Sequence, residues 1–389
     1  MIKKLAWLLM SLFLLASCGG GTDLANNGVG SGGTGSYTSG PVSGLGSIIV
    51  NGVRYDVESA DVTDEDGAAF SRNGLKLGMF VEVEGSGITA GSGAEADSST
   101  ATLVRVSSDF IGPATDVVSG QTWFKVWGRT INLDSKTVIV GNLSSGVVVS
   151  VHGLLASDGY TATRIEVVST PPYWKVTGRV AGWQPMLRRF NLGLKTFELP
   201  PSLAIPSGFG DGAVVRVKVD AATYGLLVLP FLSEIPVQSI SLVSTRASNA
   251  VSARLKGVVA SAVVNGRFEV NGVTVDVSAV SGLNLSTLVD GQRVEVRGRI
   301  VNGVLVATTA QIEDDDDVDA REVELHGYAS IVSSSLITVR GVQVAYAPSA
   351  LDGLVGVTEG LCVEVRGTEY NSSRQLIATR IKQESNCRL

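Results

Sequence analysis

The stretch GQRVEVRG (291–298) decides the reading of this chain because it recurs. GMFVEVEG (78–85), GVVVSVHG (146–153) and GLCVEVRG (360–367) keep one order of glycine, two residues, valine, one residue, valine, one residue, glycine. A fifth copy, GAVVRVKV (212–219), keeps the valines and ends in Val219 instead of glycine. The first glycines, at 78, 146, 212, 291 and 360, are 68, 66, 79 and 69 residues apart. Alternating valines are the period of a half-buried strand, and a fixed interval of this size means one small folding unit per copy.

A second motif keeps register with the first. SIIVNGVRY (47–55), WFKVWGRTI (123–131), RFNLGLKTF (189–197), RFEVNGVTV (267–275) and LITVRGVQV (336–344) each join two apolar alternations through a glycine. Asn51-Gly52 and Asn271-Gly272 are strong signals for a two-residue hairpin, because both central positions of a type I′ turn need positive φ. From these glycines to the next valine motif the intervals are 26, 18, 19, 19 and 19 residues, so only the first unit carries an insertion, around DVTDEDGAAFSRNG (61–74). Closing strands follow at ATLVRVSS, ATRIEVVS, ATTAQIE and ATRIKQE, and glycine-bearing strands such as KVTGRV (175–180), RLKGVV (254–259) and VELHGY (323–328) precede the hairpins.

Five strands in about 60 residues bury a small core by curling into a barrel, which also removes exposed edges. The expected fold is all-β: tandem small five-stranded barrels over 40–110, 111–170, 171–250, 251–313 and 321–389, with 314–320 an acidic linker. Each barrel is expected to own its core, so that removal of the last two would leave the first three folded. The strand order, with a short link before the fourth strand, resembles the oligonucleotide/oligosaccharide-binding barrel. In the fourth unit that link is long enough for one or two helical turns. GPVSGLGSIIVNGVRYD followed by LKLGMFVEVEG resembles the DUF5666 domain, repeated in proteobacterial lipoproteins. That resemblance implies a small β-barrel module in exported proteins and neither a reaction nor a ligand. The third unit departs most, lacking the last glycine and adding YGLLVLPFLSEIPVQSISLV (224–243).

The chain begins MIKKLAWLLMSLFLLASCGGG. Lys3 and Lys4 precede an apolar run of signal-peptide length, too short to span a bilayer as a permanent helix. Leu15-Ala16-Ser17-Cys18 resembles the lipobox of bacterial lipoproteins. The resemblance implies a leader over 1–17, lipidation (palmitate among the acyl chains) at Cys18, and a membrane partner reached through that anchor. Residues 18–39 read as a Gly/Ser-rich tether. Gly19, standing where an aspartate would signal inner-membrane retention, implies the outer membrane, periplasmic or surface-exposed.

Composition narrows function. Of 31 basic residues 29 remain once Lys3 and Lys4 are set aside, against 37 acidic ones, so a nucleic-acid partner is not expected. The two histidines, His152 and His326, are far apart in sequence, and His152 is expected at the surface. A histidine-based catalytic or metal centre is therefore not expected, nor any cofactor. Glu82, Glu84, Glu295 and Glu364 recur with the repeat and read as the polar side of a strand rather than as a glycosidase pair. The acidic runs at 61–66 and 313–319 lack the spacing of a calcium loop and read as linker or solvated loop. The aromatic residues Trp123, Trp127, Tyr173, Trp174 and Trp183 gather in units two and three, with Trp127 in the turn position held by asparagine elsewhere, where exposure is expected. They offer either a face for an envelope polysaccharide or protein, or packing between barrels. Cys362 and Cys387 form an even pair compatible with one disulfide. A non-catalytic cell-envelope lipoprotein with binding or scaffold modules is the expected function. A purely structural spacer and a carbohydrate-active enzyme are the alternatives.

Overall fold

The computed structural model describes residues 35–92, 96–155, 159–222, 233–243, 249–313, 322–385 and 387. The leader, Cys18, most of the tether and the 314–320 linker lie outside the described residues.

Each repeat folds into a closed barrel, and the first shows how. Ser36–Leu45, Ile48–Val50 and Val53–Asp56 form an antiparallel meander, with Asp61–Asp64 continuing the third strand. Phe80–Gly85 pairs antiparallel with the first strand, and Asp97–Ser107 closes the ring, antiparallel to the fourth strand and parallel to the third. The order 1-2-3-5-4-1 is that of the oligonucleotide/oligosaccharide-binding barrel. It recurs over 110–167, 173–242, 250–312 and 323–383. In the third barrel the fifth strand comes in two pieces, Ile235–Pro236 and Ser239–Leu242. The long link of the fourth holds one short 3₁₀ turn, Leu285–Thr287.

The valine motif is the wall of every barrel. Val81 and Val83, Val149 and Val151, Val215 and Val217, Val294 and Val296, and Val363 and Val365 are all fully buried. The leading glycine enters the strand at positive φ and donates its N–H to the first strand, as Gly78 does to Val42 O at 2.9 Å and Gly291 to Val259 O at 2.8 Å. The trailing glycine marks a β-bulge against the fifth strand, as at Arg297/Gly298. A Cβ on Gly298 would lie closer than 3.0 Å to Val306 O. The third barrel, ending its motif in Val219, has no bulge there.

The hairpin and the glycine-bearing strand form a single device. Asn51, Trp127, Asn271 and Arg340 all take positive φ, from 51° to 58°, and each folds its side chain back over the first strand. Each donates to the carbonyl just before that strand's glycine: Asn51 to Ser39 at 2.8 Å, Trp127 to Ile111 at 3.1 Å, Asn271 to Lys256 at 2.8 Å and Arg340 to His326 at 2.8 Å. Gly40, Gly112, Gly257 and Gly327 leave the room these side chains occupy. In the third barrel the turn is Gly193-Leu194, and Arg129 of the second barrel lies against Gly178 instead, its Nη1 3.3 Å from where a Cβ would sit.

The barrels do not each own a core, contrary to the expectation from sequence. Barrel 1 pairs its first strand in parallel with that of barrel 4, Ser36 to Ser39 against Ser252 to Leu255, and with that of barrel 5 at Gly44–Leu45. Barrels 2 and 3 pair Phe110 and Ile111 with Val176 and Lys175. Buried side chains of barrels 1 and 5 form one cluster, those of 2 and 3 another, and the core of barrel 4 takes in Tyr37 from barrel 1. The expected tether is also shorter than read, because Ser36 to Ser39 are buried strand residues with edges satisfied on both sides.

Candidate functional site

The insertion of barrel 1 brings charge to a junction. Asp64 caps its own loop, accepting from the N–H groups of Asp66 and Ala68 at 2.9 and 2.8 Å. That projects Glu65 and Asp66 towards barrel 3, where Glu65 pairs with Lys175 and lies 3.9 Å from Arg216, and Asp66 pairs with Lys218. Lys175 is 2% exposed. This acidic run is therefore a docking element rather than the solvated loop read from sequence. Glu65 and Asp66 are engaged by cations, and Asp64 by backbone N–H groups.

Beside this joint a cleft of about 240 Å³ lies between barrels 1, 2, 3 and 4. Four arginines line it, one from each of barrels 1 and 2 and two from barrel 3: Arg105, Arg129, Arg179 and Arg216. Arg105 is held by Glu82 at 2.5 Å and Glu84 at 3.5 Å. Arg179 crosses to barrel 4, reaching Glu269 at 3.2 Å and Ala260 O at 3.1 Å. Asp109 sits on the floor, accepting from Tyr160 Oη at 2.9 Å. Burial raises the pKa of Asp109, opposed by Arg216 and the tyrosine, and burial lowers that of Arg129. Thr177, 1% exposed, turns its hydroxyl towards Asp109.

The five aromatic residues, read from sequence as either a binding face or packing between barrels, divide in the structure. Trp127 is 7% exposed and Trp174 3%, packed edge-on at 6.2 Å, with Trp127 also 6.0 Å from Phe197. The expected exposure of Trp127 fails because its indole N–H is bound to Ile111 O, which turns the ring onto the strand beneath it. These two rings join barrels 2 and 3. Trp183 packs edge-on against Phe209 at 4.8 Å, and Tyr173 lies under Lys218, 4.0 Å from the ring centroid. Only Trp123, 36% exposed with Lys125 over it, is open among the five.

His152 is buried, not at the surface as the strand alternation implied. Neighbouring barrels cover it: Nδ1 donates to Ser107 O of barrel 1 at 2.6 Å, and Lys175 of barrel 3 lies nearby. Burial, with the Lys175 cation nearby, lowers its pKa to about 3. His326 meets Glu324 at 2.5 Å and Glu364 at 3.7 Å, and the three ligand atoms lie within 4.8 Å of one another. Arg54 pairs with Glu324, Arg366 with Glu364 at 2.7 Å, and Lys382 with Glu364 at 3.2 Å. The triad thus belongs to an ion-pair lattice that ties barrel 1 to barrel 5, with its carboxylates already met by cations. Glu295 and Glu364, read as the polar side of a strand, are 9% and 4% exposed and drawn into such pairs. Cys362 and Cys387 are joined as a disulfide that fastens the chain end to barrel 5.

The cleft was not legible in sequence, because its residues come from four repeats. The one available signal was the insertion unique to the first unit.

No curated protein matches the chain. Among solved structures it is similar to Drosophila Unr CSD456, at 11% identity over 72% of this chain and 98% of that one. The TM-score of 0.13 is too low for that likeness to bear on function. The profile of DUF5666, a domain of unknown function, matches residues 39–92, 112–166 and 256–311, which fall in barrels 1, 2 and 4. The chain thus carries three stretches that match the DUF5666 domain, with two further barrels of the same strand order beside them.

Proposed function

We propose that this chain is a non-catalytic envelope lipoprotein whose barrels assemble into a binding scaffold around the first. The observation that carries the reading is the cleft, formed where four barrels meet and lined by charged side chains that no single repeat supplies. The anchor rests on the sequence around Cys18, and outer-membrane placement on Gly19. Attachment is tested by Cys18→Ala, which is expected to abolish acyl labelling and release the protein from the membrane fraction. Retention of both labelling and membrane association in that variant would defeat it. Binding is tested by capture from envelope extract on the immobilised full chain. Recovery of a polysaccharide or protein that is lost in an Arg105→Glu variant supports the scaffold. The burial of Trp127 and Trp174 favours a second reading, a purely structural spacer, and capture of nothing would leave that one standing.

A further inference from the structure

Within the cleft one cation is under-used. Arg216 is 8% exposed, makes no hydrogen bond among the described residues, and has its Nε buried without a partner. Among the described residues its one ion pair, to Glu65, is long at 3.9 Å, Glu65 is already committed to Lys175, and the buried Asp109 carboxylate opposes its charge without a hydrogen bond to it. Leaving guanidinium donors unsatisfied in a buried place costs free energy that an acceptor oxygen would restore. Arg129, beside Gly178 on the opposite barrel, lines the same cleft. A planar guanidinium with free donors matches the two oxygens of a carboxylate.

Other lining groups limit what can accompany that carboxylate. Glu82 and Glu269, each held by an arginine, keep further acceptor capacity, and Asn271, whose Nδ2 is committed to Lys256 O and Ser39 O, adds only its Oδ1 as an acceptor. Glu65 and Asp66 are balanced from behind by Lys175 and Lys218, so the cleft is close to neutral and does not suit a dianion. Acceptors around a neutral cleft suit hydroxyl groups. A volume of about 240 Å³ is below the usual range for drug-sized ligands and fits one sugar ring.

We infer that the cleft binds a small, singly charged, hydroxyl-bearing carboxylate of the acidic-monosaccharide class, its carboxylate on Arg216 and Arg129 and its hydroxyls on the opposing acceptors. This rests on the scaffold reading and names the ligand of its cleft.

The test is calorimetric titration of the full chain in detergent with D-glucuronate, glucose and inorganic phosphate. Saturable binding of glucuronate is expected, at least tenfold tighter than glucose or phosphate, and weakened at least tenfold by Arg129→Gln and by Arg216→Gln. Arg129 is only partly buried, so its variant decides the matter if Arg216→Gln lowers the melting temperature. Absence of glucuronate binding, tighter binding of phosphate or glucose, or unchanged affinity in Arg129→Gln would each overturn the inference. Capture of an envelope partner without glucuronate binding would overturn this ligand class and leave the scaffold intact.

Discussion

Barrel 1 is joined to barrel 4 and to barrel 3 by two unlike means. Towards barrel 4 the joint is backbone: parallel pairing of first strands, with Asn51 donating also to Arg254 O at 3.3 Å and Asn271 to Ser39 O at 3.4 Å. The turn asparagines that fasten each hairpin to its own strand therefore reach the neighbour's strand too. Towards barrel 3 the joint is charge, carried by the insertion: Glu65 on Lys175 and Asp66 on Lys218. The first joint uses what barrels 1 and 4 share, a turn asparagine over the first strand, and both of these barrels match the DUF5666 profile. The second is carried by the loop that only barrel 1 has, against a barrel whose turn is Gly193-Leu194. Like barrels meet through parts they share, and an added loop brings an unlike barrel to the first.

Ending the chain at residue 249 breaks the comparison most severely. Barrel 1 would lose the parallel partner of Ser36–Leu45 and the share of its core that barrel 5 supplies. Amide exchange across Ser36–Leu45 is expected to rise by orders of magnitude, and protection equal to that of the full chain would restore self-contained barrels.

Next in size is the charged joint. Glu65→Gln leaves Lys175 buried without its main partner, at an expected cost of about 3–5 kcal/mol in denaturant unfolding. Adding Lys175→Met should recover much of that loss. A double variant no better than the single would show that the charge pair is not the joint.

Acid acts beneath the same joint. His152 is lowered to about 3 by burial and by Lys175, so the unfolded chain binds the extra proton first as pH falls below 6.5. Stability present at neutral pH is thus lost progressively between pH 6.5 and 3, by about 2 kcal/mol on going from pH 7 to 5. Glu295, Glu324 and Glu364, held below the ordinary 4.5 by their cationic partners, lose their contributions only in more acid solution. Unfolding curves of His152→Gln at pH 7 and pH 5 should coincide more closely than those of the native chain, and an undiminished pH effect would remove His152 as its source.

The smallest effect separates the two roles of the turn. Asn271→Ala should cost about 1 kcal/mol for its hydrogen bonds. Asn51→Ala and Asn271→Ala together should depart from additivity, because both side chains donate to Ser39 O. Strict additivity would mean that the bridging bonds carry no coupling between the barrels.

The repeat made the barrels legible, since alternating valines and asparagine-glycine turns report local geometry. Relations between repeats were not legible by the same signals. Trp127 stood in a turn and was read as exposed, because nothing local says that a turn side chain folds back into space left by Gly112, fifteen residues earlier. His152 was misplaced because alternation within one strand cannot register the neighbouring barrels that cover it, through Ser107 O and Lys175. Glu65 reads as one acid among several until Lys175, more than a hundred residues away, is brought against it. Long-range charge pairing leaves no period in a sequence.

The parallel pairing of Ser36–Ser39 with Ser252–Leu255 bears on the order of folding. Made from its N-terminus, the chain completes the residues of barrel 1 long before the strand that covers its edge exists. Through that interval the strand has an unpaired side, open to wrong partners, and among the early candidates are the similar first strands of barrels 2 and 3. Parallel pairing across more than two hundred residues is also slow to find. The last barrels are therefore as much a condition for finishing the first as an addition to it, and a chain released early should be a target for proteolysis at its own beginning.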